Sequence, residues 1–235
     1  NYMRSRLRST APDLPVYMRA TTNPGGRGHH WVKKMFIDPA AYGVAFEAIS
    51  KWSRNEQLSS ETLNQLFTRL IQLLEQPNKD YSGFEQPFAA LVLAEVVRVD
   101  RIKPYLTNKQ RQQVIDVTFK YMSEIEDYRG FNDKEGWRHG VAHTADLVLQ
   151  LALNDKLDDM QLTILAKTVK SQIVPKHSHS YIFGEPKRLA MATLYLFLND
   201  EFLLEEWQTW IQDLSSPAPL TDWSEAYKSE KGLAQ

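Results

Sequence analysis

The chain has 235 residues, of which 43% are hydrophobic and 24% charged, a composition typical of globular proteins and unlike that of disordered ones. It contains no cysteine, which excludes disulfides and thiolate metal sites and fits a reducing, cytoplasmic location. No apolar run approaches the ~18 residues that span a membrane, so we expect a soluble protein.

The net charge of −1 conceals an asymmetry along the chain. Residues 1–40 carry seven Lys or Arg and two Asp, whereas the remainder carries 21 basic and 27 acidic residues. An acidic body has no general attraction for nucleic acid or anionic membrane, so we expect neither as its partner. The change in composition near Pro39 predicts a domain boundary, with residues 1–40 forming an N-terminal arm outside the core.

The N-terminal arm contains a predicted short strand at residues 14–20, followed by a glycine-rich loop. Residues 4–38 resemble a fragment of phage terminase large subunits, mainly through the run Arg-Ala-Thr-Thr-Asn-Pro-Gly-Gly-Arg-Gly-His-His-Trp at positions 19–31. In that family a strand ending in Thr-x-Asn-Pro-Gly-Gly couples ATP hydrolysis to DNA packaging. The chain has no G-x-x-x-x-G-K-[ST] phosphate loop and no acidic nuclease half, so we interpret the arm as a remnant in a chimeric sequence.

Beyond Ala40 the apolar spacing becomes that of α-helices. The first of about eight predicted helices has one apolar face, formed by Tyr42, Phe46, Ile49 and Trp52. In this part of the chain no strand pattern competes convincingly with the helical one, and no clean repeat is found. We therefore expect an all-α domain over residues 41–220, built as an irregular, α-solenoid-like (HEAT-like) helical array, with a C-terminal tail at 221–235.

Local signals predict where several of these helices begin. Ser59 and Asp158 are expected N-caps of the second and sixth helices, and Thr107-x-x-Gln110 is a capping-box pattern that opens the fourth. Pro186 occupies a first-turn position, where proline is tolerated, and predicts the start of the seventh helix.

The fifth predicted helix, from about Gly136 to Leu153, carries a polar stripe of unusual composition. The side chains at i, i+4, i+7 and i+11 are those of His139, His143, Asp146 and Gln150. At ~100° per residue they lie on one face of a helix. Gly140 leaves room for another element or a ligand to approach this face.

Two imidazoles one turn apart, with a carboxylate on the next turn, can bind a divalent transition metal. His139, His143 and Asp146 are therefore candidate metal ligands. Gly140 occupies the position of the catalytic Glu in the H-E-x-x-H motif, which excludes the zinc-protease mechanism. A polar structural network and a metal-free ligand pocket are the alternatives. Arg129, the His177/His179 pair and Glu185 could complete a site only if the fold brings them near.

Three motifs resemble a bacterial family, the domain-of-unknown-function family 2785, over residues 60–215. They are Tyr128-Arg129-Gly130-Phe131, Gly136-Trp137-x-His139-x-x-Ala142-His143-x-Ala145-Asp146-Leu147, and Gly184-Glu185-x-x-Arg188-Leu189. The resemblance implies a helical fold and no known reaction. It singles out seven candidate ligand-binding residues: Arg129, Trp137, His139, His143, Asp146, Glu185 and Arg188.

These patterns favour a non-enzymatic helical protein that binds a protein partner or a small ligand beside the histidine helix. The competing hypothesis is a metal-dependent hydrolase, in which a metal-bound water is the nucleophile and Arg129 or Arg188 binds an anionic group. Terminase-type ATP-driven packaging follows only from the arm. Arg129 and Glu185 facing the histidines across a pocket would favour a site, and a sealed Arg–Glu pair would favour a structural network.

Overall fold

The fold consists mainly of α-helices, as the sequence predicts. The computed structural model describes residues 38–77, 81–177, 179–202, 204–217 and 220–228. In this part of the chain there are eight α-helices: α1 (Asp38–Arg54), α2 (Ser60–Glu75), α3 (Glu85–Ile102), α4 (Asn108–Glu124), α5 (Gly140–Ala152), α6 (Asp159–Lys170), α7 (Glu185–Phe197) and α8 (Leu204–Ser215). None of these described helices is long and apolar enough to cross a membrane.

The only β-structure among the described residues is a small hairpin between α4 and α5. Its strands are β1 (Phe131–Asn132) and β2 (Gly136–Trp137), which pair antiparallel with Phe131 opposite Trp137. A short 3-10 helix, Trp223–Tyr227, lies in the predicted C-terminal tail.

Contacts divide the chain into two units, residues 1–41 and residues 42–235. The predicted strand at residues 14–20 and the terminase-like run of the arm lie outside the described residues. The division of the sequence into arm, helical domain and tail therefore stays a prediction.

The helix starts predicted from local signals are confirmed. The Ser59 hydroxyl accepts the backbone N–H of Thr62, which satisfies one of the free donors at the start of α2. Thr107 and Asp158 each form a capping box with the glutamine three residues later, at the starts of α4 and α6. Pro186 lies in the first turn of α7, which begins one residue earlier than the proline.

The core is organised around α5, which packs against α3 on one side and α7 on another. The α3–α5 contact is the most extensive between any two described elements, and α2 with α3 and α4 with α6 make the next layers. Ala90 of α3 and Ala142 and Ala145 of α5 are fully buried. Their small side chains let the two helices approach closely.

Two details of the predicted helices are wrong. The fifth helix begins at Gly140, not near Gly136, because Gly136 and His139 have positive φ angles of 86° and 58° that a right-handed helix cannot contain. In the first helix Phe46 and Ile49 pack against the core, whereas Trp52 is 47% exposed. At ~100° per residue, Trp52 points about 120° away from Phe46, outside the buried stripe.

A buried ion pair joins the end of α3 to its neighbours. Asp100 accepts hydrogen bonds from Arg111 Nε (2.8 Å), from the backbone N–H groups of Tyr105 and Leu106, and from Asn154 Nδ2 (3.1 Å). Burial by itself would raise the pKa of Asp100, but the bonds from Arg111 and the two amides outweigh it and lower that pKa. The carboxylate is therefore ionised and fully paired.

Replacing Arg111 by Met should lower the free energy of unfolding by about 3 kcal/mol, because it leaves the Asp100 carboxylate buried without its counter-charge. The matched control is Lys103→Met, which breaks a salt bridge with Glu56 that is exposed on both sides and should cost about 0.5 kcal/mol or less. Urea unfolding at pH 7 measures both. Equal stability losses in the two variants would contradict the structural role assigned to the buried pair.

Candidate functional site

Five of the seven predicted site residues come together where the hairpin meets α5 and α7. His143 and Asp146 lie on α5, Glu185 and Arg188 on α7, and His139 directly before α5. We call these five residues the polar cluster. Trp137 borders the cluster through a ring contact with His139, and the side chain of Arg129 pairs with Asp127 instead.

His139 is the N-cap of α5 and has left-handed backbone angles, φ 58° and ψ 40°. Its own N–H donates to the carbonyl of Arg129, and its Nε2 lies 3.1 Å from the carbonyl oxygen of Phe183. Because a carbonyl only accepts, Nε2 must carry the proton. Burial lowers the pKa of His139, although the nearby Glu185 carboxylate opposes that shift. The ring is therefore neutral near pH 7.

His143 lies one turn into α5, between the two neighbouring helices. Its ring is nearly perpendicular to the ring of His139, and the two ring centroids are 5.7 Å apart. The centroid of the Phe88 ring on α3 lies 5.5 Å from that of His143. Its Nε2 is buried and has no hydrogen-bond partner among the described residues. Burial, followed by the charges of His139 and Arg188, lowers the pKa of His143 to about 3. This imidazole is neutral, and its buried nitrogen is unsatisfied.

Glu185 and Arg188 project from the first turn of α7 toward α5. Glu185 is 3% exposed; its Oε2 accepts the N–H of Phe183, and its Oε1 lies 3.5 Å from Nε2 of His139. Arg188 donates through Nη1 to both carboxylate oxygens of Asp146, at 2.6 Å from Oδ1. Burial raises the pKa of Asp146, and the bond from Arg188 opposes the rise. The cluster thus joins the two helices by polar contacts.

Arg129 does not face the histidines. Its Nε donates to Asp127 at 2.8 Å, and the Asp127–Arg129 pair lies against Gly83, where a Cβ would meet both side chains. Arg129 lines a groove of about 730 Å³, to which His177 and His179 also contribute. The two additional histidines are therefore placed with Arg129 rather than with the polar cluster.

Phe183 and Arg138 were missed by the sequence analysis. The Phe183 ring lies flat against Gly130, so that a Cβ on this glycine would overlap the ring, and its carbonyl holds His139. Arg138 is 3% exposed, donates to Glu135 at 2.7 Å and stacks over the Phe84 ring. Phe183 directly precedes the Gly-Glu motif, and Arg138 lies inside the central motif. These positions are the only signals in the sequence that could have indicated the two residues.

No group of three or more His, Asp or Glu side chains in the described part of the chain is arranged to hold a metal ion. Both oxygens of Asp146 face Arg188, and the Nε2 of His139 faces the Phe183 carbonyl. Nε2 of His143 has no hydrogen-bond partner among the described residues, and Nδ1 of His139 keeps its lone pair because Nε2 carries the proton. A divalent metal at His139, His143 and Asp146 stays a prediction that this arrangement of side chains does not fit.

Comparison with known proteins identifies a family but no reaction. The family model described as "Protein of unknown function (DUF2785)" matches residues 66–235, a range that includes all seven predicted site residues. The terminase resemblance of residues 4–38 lies outside this match. No curated protein and no solved structure matches the chain.

Gly130→Ala should lower the free energy of unfolding by about 1–3 kcal/mol, because the added methyl group must displace the Phe183 ring. Gly130 has no positive φ, so the backbone itself accepts alanine. In a Phe183→Ala background the same change should cost about 0.5 kcal/mol or less, which a double-mutant cycle measures by urea unfolding. Equal costs in both backgrounds would show that the ring does not restrict this position.

The unfolding free energy should fall on acidification in a way that depends on His143. The unfolded chain binds a proton at this residue below pH 6.5, whereas the folded protein does so only near pH 3. Between these values the wild type should lose up to about 1.4 kcal/mol per pH unit relative to His143→Leu. Urea unfolding of both proteins at pH 7, 6, 5 and 4 measures the difference. Parallel pH profiles would mean that the imidazole protonates equally well in both states.

Proposed function

The chain belongs to DUF2785, a family defined without an activity, so we propose a function from the side chains of this chain alone. The helical body is a binding module for a small polar ligand that contacts the polar cluster. The observation that carries this proposal is the buried, unpartnered Nε2 of His143. A buried polar atom without a partner costs about 1–3 kcal/mol, and this nitrogen is one of eight such side-chain atoms among the described residues. A ligand that hydrogen-bonds to this nitrogen removes the cost.

The surroundings of His143 support a ligand of limited size. Arg188 is half-exposed and uses only Nη1 for Asp146, so its Nε and Nη2 donors have no acceptor within the described residues. Trp137 is 44% exposed, and its ring lies 4.6 Å from that of His139. Polar atoms beside an aromatic surface are typical of small-molecule sites. A buried nitrogen is also more accessible to a small molecule than to the flat surface of a protein partner.

The distribution of hydrogen bonds supports binding over metal-dependent hydrolysis. A facial metal site needs free donor atoms on His139, His143 and Asp146 at once. Both carboxylate oxygens of Asp146 accept from Arg188, and no group of three or more His, Asp or Glu side chains among the described residues is arranged to hold an ion. A hydrogen bond from a ligand to the imidazole of His143 would leave the Asp146–Arg188 and His139–Phe183 contacts in place.

The replacement His143→Leu tests this proposal through stability and binding together. If the nitrogen is kept for a ligand, the variant should be as stable as the wild type or more stable by about 1 kcal/mol, because an unsatisfied polar atom is removed. Ligand-observed NMR with a library of small carboxylates, amides and alcohols should then identify compounds that bind the wild type. The same compounds should bind the variant at least about tenfold more weakly.

His177→Leu is the matched control, since its side chain is 70% exposed and lies outside the cluster. It should change neither the stability nor the binding of the same compounds. The opposite result would be a His143→Leu protein that is destabilised by about 2 kcal/mol or more and that binds the same compounds as tightly as the wild type does. That result would identify a structural network.

A further inference from the structure

Two arginines of α3 lie outside the polar cluster and have no hydrogen-bond or ion-pair partner among the described residues. Arg98 and Arg101 lie three residues apart in the last turns of this helix, so their side chains leave from neighbouring positions on one face. Both are only partly exposed. Neither makes a hydrogen bond or an ion pair with any other group in the described part of the chain.

The lack of a partner is unusual for this protein. Five other arginines of the described residues pair with a carboxylate, three of them although their side chains are about half-exposed; the pairs are Arg54–Glu95, Arg111–Asp100, Arg129–Asp127, Arg138–Glu135 and Arg188–Asp146. Exposed arginines gain little from such pairs, whereas partly buried ones need them more. Arg98 and Arg101 are partly buried and nevertheless have no such pair among the described residues.

Arg101 carries the stronger evidence of a missing anion. Its Nε is buried and has no acceptor among the described groups. Burial, and then the nearby charge of Arg98, lower the pKa of Arg101. A guanidinium nevertheless stays protonated in proteins, so it cannot relieve the cost by losing its charge. Two like charges therefore lie close together, one of them with an unsatisfied donor.

The acidic groups nearest along α3 do not neutralise this pair. Glu95 accepts two hydrogen bonds from Arg54, and Asp100 is held by Arg111. Each of these carboxylates is thus paired with its own arginine, so neither of them pairs with Arg98 or Arg101. The partial negative charge at the C-terminal end of α3 favours Arg101, but it provides no acceptor for the buried Nε.

We infer that Arg98 and Arg101 form a binding site for a phosphate-type oxyanion. A phosphate dianion carries a charge equal and opposite to that of two guanidinium groups, and the planar forks of arginine bind its oxygens in pairs. The anion would accept the bond that Nε of Arg101 lacks. The phosphate group could be that of inorganic phosphate or of a small phosphomonoester, since the arginines contact only the shared group.

The test uses the full chain and titrates it with inorganic phosphate or glycerol phosphate at constant ionic strength, with chloride as the exchanged anion. Binding is followed by ³¹P NMR, and the melting temperature is measured in parallel. We expect phosphate to bind and to raise the melting temperature above its value in chloride. Arg98→Gln or Arg101→Gln should weaken binding about tenfold, as expected for the loss of a charge-assisted hydrogen bond, and the double variant should abolish it.

Arg69→Gln is the matched control, because Arg69 is an exposed arginine on a different helix, α2, and it should leave phosphate binding unchanged. Equal affinity for both probes would identify free phosphate as sufficient, and tighter binding of the ester would identify a phosphorylated small molecule. Wild-type protein that responds equally to phosphate and chloride, or equal weakening of binding in Arg69→Gln and Arg101→Gln, would overturn the inference.

Discussion

The burial of α5 against both α3 and α7 is the constraint on which the rest of the structure depends. Nine of its thirteen residues are buried, so its few polar side chains can only lie where a neighbouring helix meets them. His143 therefore contacts Phe88 of α3, and Asp146 contacts Arg188 of α7. A polar stripe that would face water on an isolated helix becomes the lining of a junction between helices.

The backbone before α5 decides the geometry of that junction. The hairpin and the left-handed conformation of His139 end the extended segment and start the helix at Gly140, which turns the imidazole toward the start of α7. Phe183 completes the arrangement, since its ring covers Gly130 and its carbonyl holds His139. A residue held in a sparsely populated conformation is tolerated where the surrounding contacts determine it.

Several buried or partly buried carboxylates of the described residues are paired with an arginine, as Asp100 is with Arg111 and Glu95 with Arg54. Of the two most buried acids, Asp100 accepts from Arg111 through both carboxylate oxygens, and Glu185 accepts the backbone N–H of Phe183 through Oε2. His143 and Arg101 are two of the eight described residues that have a buried side-chain nitrogen or oxygen without a hydrogen-bond partner, and for both we propose that a ligand supplies that partner. Natural proteins depart from full polar satisfaction mainly at functional sites, because the unsatisfied group is then available for binding.

The sequence by itself determined the features that depend on residues three or four positions apart. Helix periodicity and the caps at Ser59, Thr107 and Asp158 were predicted because their hydrogen bonds close within one turn. Tertiary structure decided the contacts that join residues some forty positions apart, such as Asp146 with Arg188 and His139 with Phe183. Those contacts depend on how the helices pack, and local spacing carries no information about which side chain a neighbouring helix presents.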